Sequence, residues 1–120
     1  PEEDRLAYTR DELLSRVAGM LGGRAADMIV FGEKTTGASN DIEAATNLAR
    51  KMVCEWGMSD VVGPLSLGHK DEMVFLGKEM GTAKNYSEQT AERIDGEIKA
   101  IVDGGLEQAS LEFRHARHVE

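Results

Sequence analysis

Three observations predict a mainly α-helical fold, a small helical domain of three main helices with a long irregular connection. Apolar residues recur at steps of three and four in three separate stretches, the rhythm of a helix with one buried face. Of the two prolines only Pro64 lies in the interior, so long runs carry no helix breaker. Between Met58 and Tyr86 the rhythm is lost and Gly63, Pro64, Gly68, Gly77 and Gly81 gather, as in a connecting loop.

The first helix is expected to begin after Thr9. Its hydroxyl can cap exposed backbone N–H groups while Glu12, three residues on, reaches back in a capping box. Leu13, Leu14, Val17, Met20, Leu21, Met28 and Ile29 then follow at helical spacing. Gly22 and Gly23 interrupt that pattern and cost about 1 kcal/mol each against alanine, so a helix there needs tertiary support or a close neighbour. Gly32 marks its end. Glu33 to Ala38, with Thr35, Thr36 and Gly37, reads as a polar loop leading to a second helix capped by Ser39 or Asn40.

From Asp41 to Trp56 the residues Ile42, Ala45, Leu48, Ala49, Met52, Val53 and Trp56 form one apolar stripe, closed by Gly57. In the irregular connection Met73 to Leu76 offers at best a short strand. The last helix is expected from Ser87, turning Ala91, Ile94, Ile98, Ile101 and Val102 inward. A bend or weak point is expected at Gly104 and Gly105, and the pattern does not settle the fold beyond Leu106.

A length of 120 residues is that of one domain, and 41% hydrophobic with 30% charged residues is a globular balance. Fourteen basic against 22 acidic residues give a net charge of -8, which repels phosphate backbones and argues against nucleic acid as a partner. No apolar run approaches the roughly 20 residues that cross a bilayer, so this segment is expected to be soluble, without membrane contact. Cys54 is the only cysteine, which rules out an intrachain disulfide and a cysteine-based zinc cluster. A chain that opens on Pro1 and stops at Glu120 without a stop signal is expected to be a fragment.

The residue that stands out chemically is Asp41, placed after Ser39 and Asn40 in the first turn of a helix. A carboxylate there is favoured by the helix dipole. It either stabilises its own helix or serves as a hard oxygen ligand, and spacing does not choose between them. His115 and His118 are three apart and could share a helix face to hold a metal weakly, but they fit a solvated tail better. His69, between Gly68 and Lys70, has no partner at ligand spacing. Cys54, beside Val53 and Glu55, reads as a buried or half-buried thiol rather than a nucleophile. The sequence contains no H-E-x-x-H, no G-x-x-x-x-G-K-[ST] phosphate loop and no G-x-S-x-G elbow, hence no complete catalytic set.

The string GGRAADMIVFG (Gly22 to Gly32), followed by TTGASNDIEAATNLARKMV (Thr35 to Val53) and EWGMSDVVGPLSLG (Glu55 to Gly68), resembles the FtsH family of membrane-anchored, ATP-dependent zinc proteases. The opening PEEDR and the final helix with Ser87, Thr90, Ala91, Ile94 and Asp95 are similar to it too. The resemblance implies that residues 1–120 are a single domain, the C-terminal portion of an FtsH-like peptidase domain without its H-E-x-x-H helix. In that family an ATPase module unfolds membrane and cytosolic protein substrates and threads them to a mainly helical zinc peptidase, assembled as a homo-hexamer on the cytoplasmic face of the bacterial inner membrane or in organelle membranes. Zinc is held there by the two histidines of H-E-x-x-H and an aspartate of an S-N-D motif, which here is Asp41, with the glutamate as general base. Thr36, Gly37, Ser39 and Asn40 match the loop that shapes the site. The resemblance thus implies an isolated chain that is inactive and binds neither zinc nor ATP tightly. The alternative is a non-enzymatic helical self-association module, a truncated relative of the protease.

Overall fold

The fold is built on helices that each bury one narrow apolar face, as the spacing requires. The structure, a computed structural model, describes residues 7–67 and 86–119. Among these it contains four α-helices and no strand: α1 (Arg10–Met20), α2 (Gly22–Ala26), α3 (Ser39–Cys54) and α4 (Glu88–Val119). The strand expected at Met73 to Leu76 and the reading of His69 lie outside the described residues.

Helix α1 starts as its sequence dictates. Glu12 N–H donates to Thr9 Oγ1 (3.1 Å) and Thr9 N–H donates to Glu12 Oε1 (2.8 Å), closing the capping box. The apolar pattern from Leu13 to Ile29 is not one helix. It breaks at Leu21, whose N–H turns back to the Ala18 carbonyl at 3.0 Å, where two glycines of low helix propensity follow. Helix α2 then runs into a π-helical turn (Asp27–Phe31), which ends at Gly32 with φ +70°, the left-handed conformation that glycine adopts without strain.

Helix α3 begins two residues earlier than its apolar stripe suggests and carries Ala45, Ala49, Met52, Val53 and Cys54 into the core. Neither Ser39 nor Asn40 is its cap. A 3-10 turn (Thr36–Ala38) leads straight into α3, so the capping side chain is Thr35, one turn upstream. Trp56 is 47% exposed rather than part of the stripe, because α3 stops at Cys54 and the chain turns at Gly57 (φ +59°). A Cβ on Gly57 would stand 2.9 Å from Pro64 Cα, so only glycine lets the return segment lie this close.

That segment is fastened at Ser59, a buried hydroxyl. Its Oγ donates to Glu97 Oε1 of α4 (2.6 Å) and accepts from Val61 and Val62 N–H (3.1 and 3.0 Å), while Arg10 Nε donates to the Met58 carbonyl at 3.0 Å. Ser59→Ala strips three bonds from one buried point, leaving a carboxylate oxygen and two backbone donors short of a partner. A loss of about 2–3 kcal/mol is expected, read as a lower urea midpoint with an unchanged m-value.

The largest departure from expectation is α4. It is one helix through Gly104 and Gly105, where a bend or weak point was expected, and it continues past Leu106 to Val119. Its buried stripe of Ile94, Ile98, Ile101, Gly105 and Ala109 packs against α1, α2 and α3. Gly105 is the crossing point with α1, where a Cβ would meet Val17 Cγ1 at 2.7 Å. The propensity cost of the glycine is offset by the close approach that it permits. Val17, Leu21, Met52 and Val53 are the largest fully buried side chains, each contributing about 1.5–3 kcal/mol by leaving water.

Candidate metal-ligand site at the start of the third helix

Asp41 lies in the first turn of α3, exposed to solvent, where the unsatisfied N–H groups of the helix start favour its negative charge. Its carboxylate faces α2: a Cβ on Gly23 would stand 3.9 Å from Asp41 Oδ2, so bare backbone borders the oxygen on that side. Gly23 therefore borders the candidate ligand as well as standing near the break between α1 and α2.

The other residues singled out in the sequence stand on the approach to Asp41. Thr36 and Gly37 form the 3-10 turn with the buried Ala38, and Ser39 and Asn40 open α3, exposed. A side chain at Gly37 would press on Thr35 Oγ1, 3.3 Å from its Cβ position.

Among the described residues no group of three histidine, cysteine, aspartate or glutamate side chains could hold a metal ion. Asp41 thus belongs to no set of three such donors in the described part of the chain. His115 and His118 stand on the helical end of α4, not on a frayed tail, and both are exposed. His118 lines a shallow hollow with Ile29, Arg114 and Arg117. Cys54 is buried, as its place on α3 suggested, and that burial pushes its thiol above the ordinary value despite the opposing charge of Arg50.

Three residues that sequence reasoning did not assign to the site join it in the structure. Thr35 Oγ1 donates to Asp27 Oδ2 (2.7 Å) and accepts from Gly37 N–H (3.1 Å), and the Thr35 carbonyl accepts from Arg24 Nη2 (3.1 Å). A threonine two residues before a glycine is a local turn signal and could have pointed to the cap. Nothing in the spacing points to Asp27, eight residues away across the Gly32 turn.

A comparison with known protein families matches residues 1–119 to peptidase family M41. Among individual proteins, the ATP-dependent zinc metalloprotease FtsH of Thermotoga maritima is 50% identical over 117 residues, 98% of this chain and 19% of that protein. The proteins of the same name from Pseudothermotoga lettingae and Marinobacter nauticus are 52% identical over 109 residues and 53% over 100, covering 91% and 83% of this chain and 17% and 16% of theirs. The chain spans less than a fifth of the length of these curated relatives. A helical fold with an exposed aspartate at the start of α3, matched almost end to end by one family model, leads to one assignment: the chain belongs to peptidase family M41.

Proposed function

We propose that this chain is part of an ATP-dependent zinc metalloendopeptidase that degrades membrane and unfolded proteins, and that Asp41 is its third protein ligand to zinc. The observation that carries this reading is the exposed Asp41 carboxylate bordered by the Gly23 backbone, in a chain that belongs to peptidase family M41. The residues present fit the metal in part. An open carboxylate oxygen is a donor that zinc accepts, but a catalytic site takes three protein ligands.

The sequence has no H-E-x-x-H and no phosphate loop, so two histidine ligands, the general base and the ATPase would come from elsewhere in the full-length protein. Bound zinc would supply Lewis acidity. The part played by this chain is to hold Asp41 on a rigid helix start, with Thr36, Gly37, Ser39 and Asn40 shaping its surroundings. The full protein acts as a membrane-anchored homo-hexamer with this segment on the cytoplasmic face. No described helix is long and apolar enough to cross a membrane.

The test is casein hydrolysis by the 120-residue chain and by the full-length protein, each with zinc and with a chelator. Chelator-sensitive cleavage by the full-length protein alone is the expected result. Chelator-sensitive cleavage by the isolated chain would mean that its own residues complete a site, and the one-ligand reading would be wrong.

A further inference from the structure

Thr35 makes more bonds than a cap needs. As the cap of the 3-10 turn it has only to accept from Gly37 N–H, yet the same hydroxyl donates to Asp27 Oδ2 and the carbonyl of the same residue accepts from Arg24. The bond to Asp27 is charge-assisted, and at 2.7 Å it has the length of such a bond. Arg24 belongs to α2 and Asp27 opens the π-helical turn, so one residue is tied twice to the segment that also carries Gly23.

The other end of this connection is Asp41. From Thr36 the chain runs through the 3-10 turn into α3 without an intervening loop, so a shift of Gly37 is transmitted along helical backbone to the first turn of α3. Helix α3 has no side-chain cap of its own, because its N-cap position is Ala38. The bonds at Thr35 therefore tie the segment that carries Gly23 to the turn that leads into Asp41.

We propose that Thr35, anchored by Asp27, is a positioning residue for Asp41, fixing the carboxylate in the orientation that zinc binding needs. This inference rests on the reading of Asp41 as a zinc ligand. Groups that orient a metal ligand without touching the metal commonly change metal affinity by about 10–100-fold when removed. The hydroxyl is the part that matters: valine keeps the shape of threonine and removes both side-chain bonds, whereas serine keeps both.

The experiment uses the full-length protein and zinc alone, with the dissociation constant taken by competition against a chromophoric chelator and thermal melting recorded alongside. Thr35→Val is expected to weaken zinc binding by about 10-fold or more, and Thr35→Ser to restore it. Asp27→Ala should lose part of what Thr35→Val loses, and the double variant should be no worse than Thr35→Val, which already removes the bond they share. In the cobalt-substituted protein Thr35→Val should alter the visible absorption bands, which report ligand geometry and which a loss of stability alone would not move. Unchanged zinc affinity in Thr35→Val while Asp41→Asn loses it would overturn the positioning role and leave the ligand reading standing. Additive losses in the double variant, or a zinc loss that only follows a lowered melting temperature, would also overturn it. Unchanged affinity in Asp41→Asn would remove the ligand reading itself, and the positioning role with it.

Discussion

Asp41→Asn in the full-length protein is expected, on the proposed ligand role, to lower zinc-dependent casein hydrolysis by on the order of 100-fold or more, with the fold intact. The exchange is nearly isosteric and the side chain is exposed, so packing is untouched. Asparagine is tolerated at helix starts, and losing the charge in the first turn costs only about 0.3–1 kcal/mol. The proposed ligand role needs that charge, because a neutral amide is a poor zinc ligand. Asp41→Glu should fail nearly as badly, since an added methylene moves the oxygen away from its place beside Gly23. Glu43→Gln, an exposed acid two residues along α3, is the matched control and should leave hydrolysis unchanged. The reading is checked by zinc content and hydrolysis measured on the same preparations. Full zinc occupancy and normal turnover in Asp41→Asn would reduce Asp41 to a helix-start carboxylate.

The second large effect is expected at a pair of adjacent glycines that respond with opposite signs. At Gly105 an added Cβ would meet Val17 Cγ1 at 2.7 Å and the Ala18 backbone nitrogen at 3.3 Å. Val17 is fully buried and β-branched, so it has no free rotamer into which to withdraw. Gly105→Leu should therefore destabilise the chain by about 3 kcal/mol or more, a large share of the roughly 5–15 kcal/mol that holds a domain folded. Gly104 is exposed, and a Cβ there meets nothing within 4 Å. Gly104→Ala should gain about 1 kcal/mol from helix propensity alone. Urea unfolding of the two variants checks both signs. A Gly105→Leu chain as stable as the original would mean that α1 and α4 do not cross at this point.

The same two glycines mark how far the sequence could be read. The capping box at Thr9 and Glu12, the stripe of α3 and the stop at Gly32 were legible because each is decided within a few residues of itself. The continuation of α4 through Gly104 and Gly105 was not, because the compensating contact comes from α1, some ninety residues earlier in the chain. Likewise the cap moved from Ser39 or Asn40 to Thr35, since a 3-10 turn lengthened the helical path upstream. Of the candidate site, Asp41 and its place in a first helical turn were visible from the residues, while the ligand role proposed for it came only with the family resemblance. The tie between Thr35 and Asp27 joins residues that meet only after the chain reverses at Gly32, and no local pattern encodes it.

The unbroken course of α4 imposes a bookkeeping of phase on this part of the chain. At 1.5 Å of rise per residue its 32 residues reach about 48 Å, close to the 52 Å long axis of the molecule. Ile94, Ile98 and Ile101 on one side of the crossing and Ala109 on the other stay in step with Gly105 only while every residue between them is counted. Removing one would rotate the far half by about 100° and turn a side chain toward α1 in place of the missing one. Helix α4 can thus accept many substitutions along its outer face, yet between Ile94 and Ala109 its length is as fixed as the pitch of a screw.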